Sequence, residues 1–166
     1  KMFTGIVQAT CEVVAIHKKD GLNTLEVAFE PDLHEGLAIG ASVANNGVCL
    51  TVTQVVDDRV FFDVVEETLR LTNLANLSIG QSVNVERSLT FGSEIGGHIL
   101  SGHIHTKAKV VDISHTEQHY DLTLGIEPKW MDYIFYKGFV GVNGCSLTVG
   151  EVSDSGFKLH LIPETL

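Results

Sequence analysis

The chain is written twice. Residues 4–69 and 101–166 align at a constant offset of 97 with no gap, and 18 of the 66 positions are identical. Composition alone would give about four. Thr4-Gly5-Ile6-Val7 returns as Ser101-Gly102-His103-Ile104, and Asn46-Gly47-Val48-Cys49-Leu50-Thr51-Val52 returns as Asn143-Gly144-Cys145-Ser146-Leu147-Thr148-Val149. Glu30-Pro31 returns as Glu127-Pro128, and Glu67-Thr68-Leu69 as Glu164-Thr165-Leu166. Polar loop residues recur along with apolar ones. The repeat therefore reads as two copies of one ligand subsite, in a protein that handles two similar molecules together.

Each copy is near the lower size limit of a self-sufficient core, so the expectation is two small domains, at 2–90 and 98–166. A hydrophobic fraction of 44% excludes a disordered chain. With 11 Lys and Arg against 21 Asp and Glu, and a net charge of −10, a nucleic-acid or anionic-membrane partner is excluded, because both need clustered cations. Cys11, Cys49 and Cys145 have neither disulfide-framework nor CxxC spacing. No basic-then-apolar leader opens the chain and no apolar run approaches the ~18 residues of a membrane span. The expectation is a soluble, cytoplasmic protein whose natural start is Met2 rather than Lys1.

Runs rich in Val, Ile, Thr and Phe at 6–16, 24–29, 42–46, 49–56, 59–65 and 82–87 predict six strands in the first copy. Asn46-Gly47 and Asp57-Asp58 predict tight turns. Short helices are expected after Pro31 and Pro128, and another from Glu67 toward Leu74. Six short strands without a long amphipathic helix fit a small closed barrel, so the fold class is all-β, two tandem six-stranded barrels. Ser88–Gly97 has no repeat partner and reads as the linker. The second copy stops at the counterpart of Leu69 and so lacks its last strand. The natural chain is expected to extend beyond 166.

The best-repeated segments, 5–7, 46–52 and 63–69 with 102–104, 143–149 and 160–166, are expected to converge at one mouth of each barrel. Gly47, Gly144, Leu50 and Leu147 are also explained by turns and packing. Thr51, Thr148, Thr68, Thr165, Glu67 and Glu164 are less so, since a core needs no hydroxyls or carboxylates. Where the repeat breaks, Ile6 faces His103, Gly40 faces Lys137, Cys49 faces Ser146 and Asp63 faces His160. Such differences let one copy serve as donor and the other as acceptor. His103 is a candidate acid/base, Lys137 a counter-charge for a developing anion, and Cys49 and Ser146 hydrogen-bonding or nucleophilic groups. Each also has a plain structural reading: a strand histidine, a surface lysine, a packed cysteine. His98, His103 and His105 invite a metal, with His103 and His105 expected on one face of a strand. No carboxylate or cysteine completes a ligand set, so none is expected.

Met2-Phe3-Thr4-Gly5-Ile6-Val7, NGVCLTV at 46–52, EIGGHILSGHIH at 94–105, YKGFVGVNGCSLTVGEV at 136–152 and HLIPETL at 160–166, in that order, resemble riboflavin synthase of the bacterial α-chain type. The resemblance covers 2–166. It implies Greek-key barrels, no cofactor, and a homotrimer assembled by a C-terminal helix, with lumazine synthase as a further candidate partner. It implies transfer of a four-carbon unit between two molecules of 6,7-dimethyl-8-ribityllumazine, giving riboflavin and 5-amino-6-(D-ribitylamino)uracil. Carried over by motif, one lumazine would meet Gly5, Ile6, Val7, Cys49, Leu50, Thr51 and the run Asp63, Val64, Val65, Glu66, Glu67, Thr68. The other would meet Gly102, His103, Ile104, Ser146, Leu147, Thr148 and the run His160, Leu161, Ile162, Pro163, Glu164, Thr165, with Lys137 reaching across.

Backbone groups around Leu50 and Leu147 would pair with the pyrimidine edge, and Glu67, Thr68, Glu164 and Thr165 with ribityl hydroxyls. The resemblance places catalytic roles on Phe3, Ser42, Cys49, His98, His103, Lys137, Ser146 and Thr148. Where the family usually has an acidic residue, this chain has Asn143. The alternative is a non-catalytic lumazine- or flavin-binding antenna protein of the same fold. The presence of Leu-Thr-Val and Glu-Thr-Leu elements in both copies, with Cys49, Ser146 and Lys137, favours the enzyme. A generic oligonucleotide-binding or flavoreductase barrel is disfavoured by the acidic charge and by the lack of a nicotinamide-binding glycine motif.

Overall fold

The computed structural model describes all 166 residues. In the first half, β1 (Ala9–Lys19), β2 (Leu22–Ala28), β3 (Ser42–Asn45), β4 (Val48–Val56), β5 (Arg59–Val65) and β6 (Ser82–Arg87) close an antiparallel barrel in the order β1-β2-β5-β4-β3-β6. A short helix α1 (Pro31–His34) begins at its proline. Another, α2 (Glu66–Leu71), leads into a 3-10 turn at Asn73–Asn76. The second half forms an open sheet, β7-β8-β11-β10-β9, from β7 (Lys109–His115), β8 (Tyr120–Gly125), β9 (Phe139–Val142), β10 (Cys145–Val152) and β11 (Gly156–Leu161). Its 3-10 turns lie at Pro128–Tyr133 and Pro163–Thr165. No helix is long and apolar enough to cross a membrane.

The period-two pattern sets the core. In β4, Val48, Leu50 and Val52 are buried while Cys49 and Thr51 turn outward. In β5, Val60, Phe62 and Val64 are fully buried. With Leu25, Val27, Phe29, Val43, Val83 and Val85 they belong to a cluster of 15 buried residues that fills the barrel. The five-stranded half buries only Leu124, Val149, Phe157 and Leu159 in its cluster, because a sheet that does not close can cover only one of its faces.

One expectation about the strands fails. β1 starts at Ala9 and β7 at Lys109, and residues 101–108 lie outside any strand. Gly5 and Gly102 sit at φ +74° and +76°, where a side chain is strained, and each breaks the run into β1 or β7. His103 and His105 therefore share no strand face.

The two Asn-Gly turns meet back to back. Asn46 and Asn143 have φ of 50° and 51°, and both following glycines are also positive, as a primed hairpin turn demands. A Cβ on Gly47 would stand 2.7 Å from the Gly144 amide nitrogen. Side-chain amides tie the turns together. Asn46 donates to Asn73 (3.3 Å), Asn73 to the Asn143 side chain (2.8 Å), and Asn84 to the Asn143 carbonyl (2.8 Å).

Crossed arms at the module boundary

β4 changes partner along its length. It pairs with β3 from Val48 to Thr51 and with β5 only from Val52, opposite Phe62, onward. Before that point the β5 ladder has ended, and the end of β5 turns into α2. The opening between these elements is a cleft of about 220 Å³ lined by Val48, Cys49, Thr68, Leu71, Thr72, Gly102, His103 and Ile104. β10 repeats the arrangement: it pairs with β9 from Cys145 to Thr148 and with β11 from Val149. In the first half the outward-turned Cys49 faces this cleft, and Ser146 holds the equivalent place on β10.

The arms that cover these places are exchanged. Phe3 and Leu100 pair as a two-residue bridge, each amide donating to the other's carbonyl at 2.9 Å. Beyond it, Gly102 crosses to the first half, where its carbonyl accepts the Cys49 amide at 2.9 Å. Gly5 crosses to the second half, where its carbonyl accepts the Ser146 amide, also at 2.9 Å. The sequence-based grouping is therefore corrected. Gly102, His103 and Ile104 accompany Cys49 and Thr68, and Gly5 accompanies Ser146. Contact is too close for side chains: a Cβ on Gly5 would be 2.4 Å from Ser146 Cβ, and one on Gly102 2.6 Å from Cys49 Cβ.

At Ser146 the arrangement is polar and half-buried. Its hydroxyl donates to the Thr4 carbonyl (3.1 Å) and lies 3.1 Å from His98 Nδ1. The His98 ring stacks on Phe139, centroids 4.2 Å apart and 14° from parallel. With its own proton committed to Thr4, the hydroxyl accepts from a His98 protonated at Nδ1. The cleft of the first half thus joins a thiol (Cys49) with His103, and the equivalent place on β10 joins a hydroxyl (Ser146) with His98. Cys11 and Cys145 are different: burial pushes both thiols up, Cys11 to about 11, so they stay protonated at neutral pH.

Other predicted residues go elsewhere. Phe3 is buried, its ring edge beneath Gly102. Ser42 is buried beside Thr51 in the β3–β4 ladder, and Thr148 is exposed opposite Phe139 in β9. Ile6 and Val65 are exposed, and Val7 is half-buried. Val64 points into the sealed core, so its side chain cannot meet a ligand outside the barrel; strand alternation dictates this. Leu50 likewise turns inward, and Leu147 packs on the second core. Glu66 donates its amide to Gly21 at the start of α2.

Glu67 is held by Arg70 through two hydrogen bonds (3.0 and 2.6 Å), which lower its pKa. That carboxylate is already partnered. Asp63 accepts from Thr24 across β2–β5 (2.7 Å). The equivalent His160 lies between Asp121 (2.6 Å) and Glu151 (3.2 Å), and the Asp121 contact raises its pKa first among several causes. Leu161 packs on the second core, whereas Ile162, Pro163 and Glu164 are exposed and Thr165 is half-buried. The three histidines once grouped as a metal set go to three places, His105 against Trp130.

Lys137 is exposed, its Nζ 5.6 Å from the Tyr136 ring centroid, and its φ is +62°. The repeat has Gly40 there, at φ +88°. A lysine in the left-handed region costs roughly 1–2 kcal/mol, so fold stability alone would select glycine. Lys137→Gly is expected to hold or raise the unfolding free energy, by up to about 1 kcal/mol, while turnover drops about tenfold as the ammonium is lost. Paired denaturant melts and steady-state rates check this; unchanged turnover would make the lysine ornamental.

Sequence reading missed Glu86, whose buried carboxylate accepts from Thr4 and Gly5. The available signal was a carboxylate following Val83 and Val85 in a closing strand.

Comparison with known proteins places this geometry. The Lumazine binding domain family matches twice, over residues 4–88 and 101–166. The riboflavin synthase of Escherichia coli (strain K12) is 50% identical over 166 residues, covering 99% of this chain and 78% of that protein. That of Buchnera aphidicola subsp. Schizaphis graminum is 45% identical, covering 99% and 80%. Among solved structures, LumP complexed with riboflavin superposes with a TM-score of 0.88 at 29% identity, over 96% of this chain and 86% of that one. LumP complexed with 6,7-dimethyl-8-(1'-D-ribityl) lumazine gives 0.86 at 28%, with the same coverage. A doubled lumazine-binding fold with this identity to riboflavin synthases along nearly its whole length belongs to the riboflavin synthase family.

Proposed function

We propose that the two clefts each hold one 6,7-dimethyl-8-ribityllumazine and that the protein, a transferase, moves a four-carbon unit from one to the other. The products are riboflavin and 5-amino-6-(D-ribitylamino)uracil. The observation that carries this reading is the pair of matching strand-and-arm arrangements, alike in backbone and unlike in side chains: Cys49 with His103 in one, Ser146 with His98 in the other. Two identical molecules must react unequally, and a duplicated cleft with divergent groups is what separates their roles. The C7 methyl of the lumazine is acidic because its anion delocalises into the pteridine ring, so imidazole near neutrality suffices as a base. Face-to-face orientation of the rings contributes further, since proximity alone can be worth roughly 7–11 kcal/mol.

In this reading His103 and Ser146 move protons, Lys137 stabilises charge, and 2–90 and 98–166 act as the two ligand-binding modules of a cytoplasmic enzyme. The stacked pair forms between the Cys49 cleft of one subunit and the Ser146 cleft of a neighbour in a homotrimer.

The direct test is to incubate the protein with the lumazine and follow riboflavin absorbance. A bound but unconverted ligand would identify an antenna protein instead. The assembly is tested by mixing subunits. His103→Gln and Ser146→Ala preparations, each with strongly lowered turnover, are expected to recover activity when unfolded and refolded together, since some sites then receive both native clefts. Mixtures no more active than their parents would place the reacting pair within a single chain.

A further inference from the structure

Glu86 is buried on the wrong side of its strand. In β6, Val83 and Val85 point into the barrel core and are fully buried, so alternation puts Ser82, Asn84 and Glu86 outside. Ser82 is exposed and Asn84 half-buried, yet Glu86 is only 5% exposed. What covers it is the crossing arm. Its carboxylate accepts three hydrogen bonds, all from that arm: the Thr4 amide (2.6 Å), the Thr4 hydroxyl (2.6 Å) and the Gly5 amide (3.0 Å). A buried carboxylate without such donors would be costly by several kcal/mol, so its retention is matched by a full donor set.

One peptide group links this carboxylate to the Ser146 cleft. The Gly5 N–H donates to Glu86 Oε2. The carbonyl of that same peptide, on Thr4, accepts from the Ser146 hydroxyl (3.1 Å) and from the His98 amide (2.9 Å). The next carbonyl, on Gly5, accepts from the Ser146 amide. Charge on the N–H side of a peptide polarises it and makes its carbonyl a better acceptor, as in any hydrogen-bonded chain. The mirrored arm has no such support: Ser101 Oγ accepts only from the His103 amide, and no carboxylate reaches Ser101 or Gly102.

We propose that Glu86 is a positioning residue for the Ser146 cleft: through the Thr4–Gly5 peptide it fixes the Ser146 hydroxyl and His98 and leaves the Cys49 cleft untouched. This deepens the functional reading above and rests on it for its kinetic consequence. The Ser146 hydroxyl is thereby held on the Thr4 carbonyl and within reach of His98, aligned for the proton movement assigned to it above.

The test uses Glu86→Gln. One carboxylate oxygen becomes an NH₂ that faces an arm N–H, donor against donor, with little change of volume. Turnover is expected to fall about tenfold, a change of about 1.4 kcal/mol in barrier, with riboflavin affinity at the Cys49 cleft unaltered. Combined with Ser146→Ala, the second change is expected to add almost nothing. Fully additive losses, or native turnover in Glu86→Gln, would overturn the proposal.

Backbone amide exchange gives a readout independent of catalysis. The Ser146 and His98 amides are expected to exchange faster in Glu86→Gln while Cys49 keeps its protection. Equal change at all three, or at none, would also overturn it. A wild-type protein that makes no riboflavin sinks the functional reading and leaves the exchange result to decide the clamp. If Glu86→Gln does not fold, Thr4→Val and Thr4→Ser address the same linkage, since only serine keeps the hydroxyl on Glu86. Serine is expected to retain more turnover than valine, and equality would count against the clamp.

Discussion

His103→Gln is expected to lower turnover by about 10²–10⁴-fold, the range typical for a lost general base, while lumazine affinity stays close to that of the native protein. His103 lies on the crossed arm at the Cys49 cleft, one residue beyond the carbonyl that accepts the Cys49 amide. Its backbone position is fixed by that bond and by its own amide donating to Ser101 Oγ at 3.1 Å, so the substitution changes the side chain without releasing the arm. Glutamine keeps a polar, hydrogen-bonding group but cannot take up a proton near neutral pH. Ligand fluorescence titration measures affinity and single-turnover absorbance measures chemistry. Matching losses in affinity and rate would reassign His103 from proton transfer to binding.

Much of this architecture was legible in the residues, and the failures have identifiable physics. The six strands of the first barrel follow from alternating Val, Ile and Phe punctuated by Asn-Gly and Asp-Asp, and the structure has them with ends displaced by a few residues. The second half keeps five strands in the order of the first half, as an open sheet. The crossing of the arms was not legible. Translating one repeat onto the other says that Gly5 and Gly102 are equivalent, and it is silent on whether each packs against its own module or its twin. That choice is made by the Phe3–Leu100 bridge and by close backbone approach at Ser146 and Cys49, which are contacts between distant segments. Val64 came in with the run 63–68 that the resemblance carries over, and period two sends its side chain inward with Phe62 and Val60. Lys137 shows the reverse case. Its alignment with Gly40 contained a backbone constraint that only the positive φ makes visible.

Gly102→Ala is expected to reduce turnover by 10²-fold or more, on the order of the penalty for a 1 Å misplacement in a reacting site, and Gly5→Ala to do the same from the other cleft. Both positions have φ near +75°, which already costs an alanine about 1 kcal/mol. The steric term is larger. An added Cβ on Gly102 meets Cys49 Cβ at 2.6 Å and the Phe3 ring at 2.9 Å; on Gly5 it meets Ser146 at 2.4 Å, including the backbone nitrogen at 2.5 Å. No flexible side-chain tip can retreat to make room, so the arm itself must lift, carrying with it the carbonyl that holds Cys49 or Ser146. The barrel core lies elsewhere and stays packed, so the variants are expected to keep the native β-sheet circular dichroism while losing activity.

The two substitutions also separate the clefts. Gly102→Ala is expected to weaken ligand at the Cys49 cleft and leave the His98–Ser146 pair intact, and Gly5→Ala to do the opposite. Titration of ligand into each variant, read against the native protein, decides whether the arms are exchanged in solution. If Gly102→Ala instead disturbed Ser146 and spared Cys49, each arm would belong to its own module and the crossed geometry would be wrong.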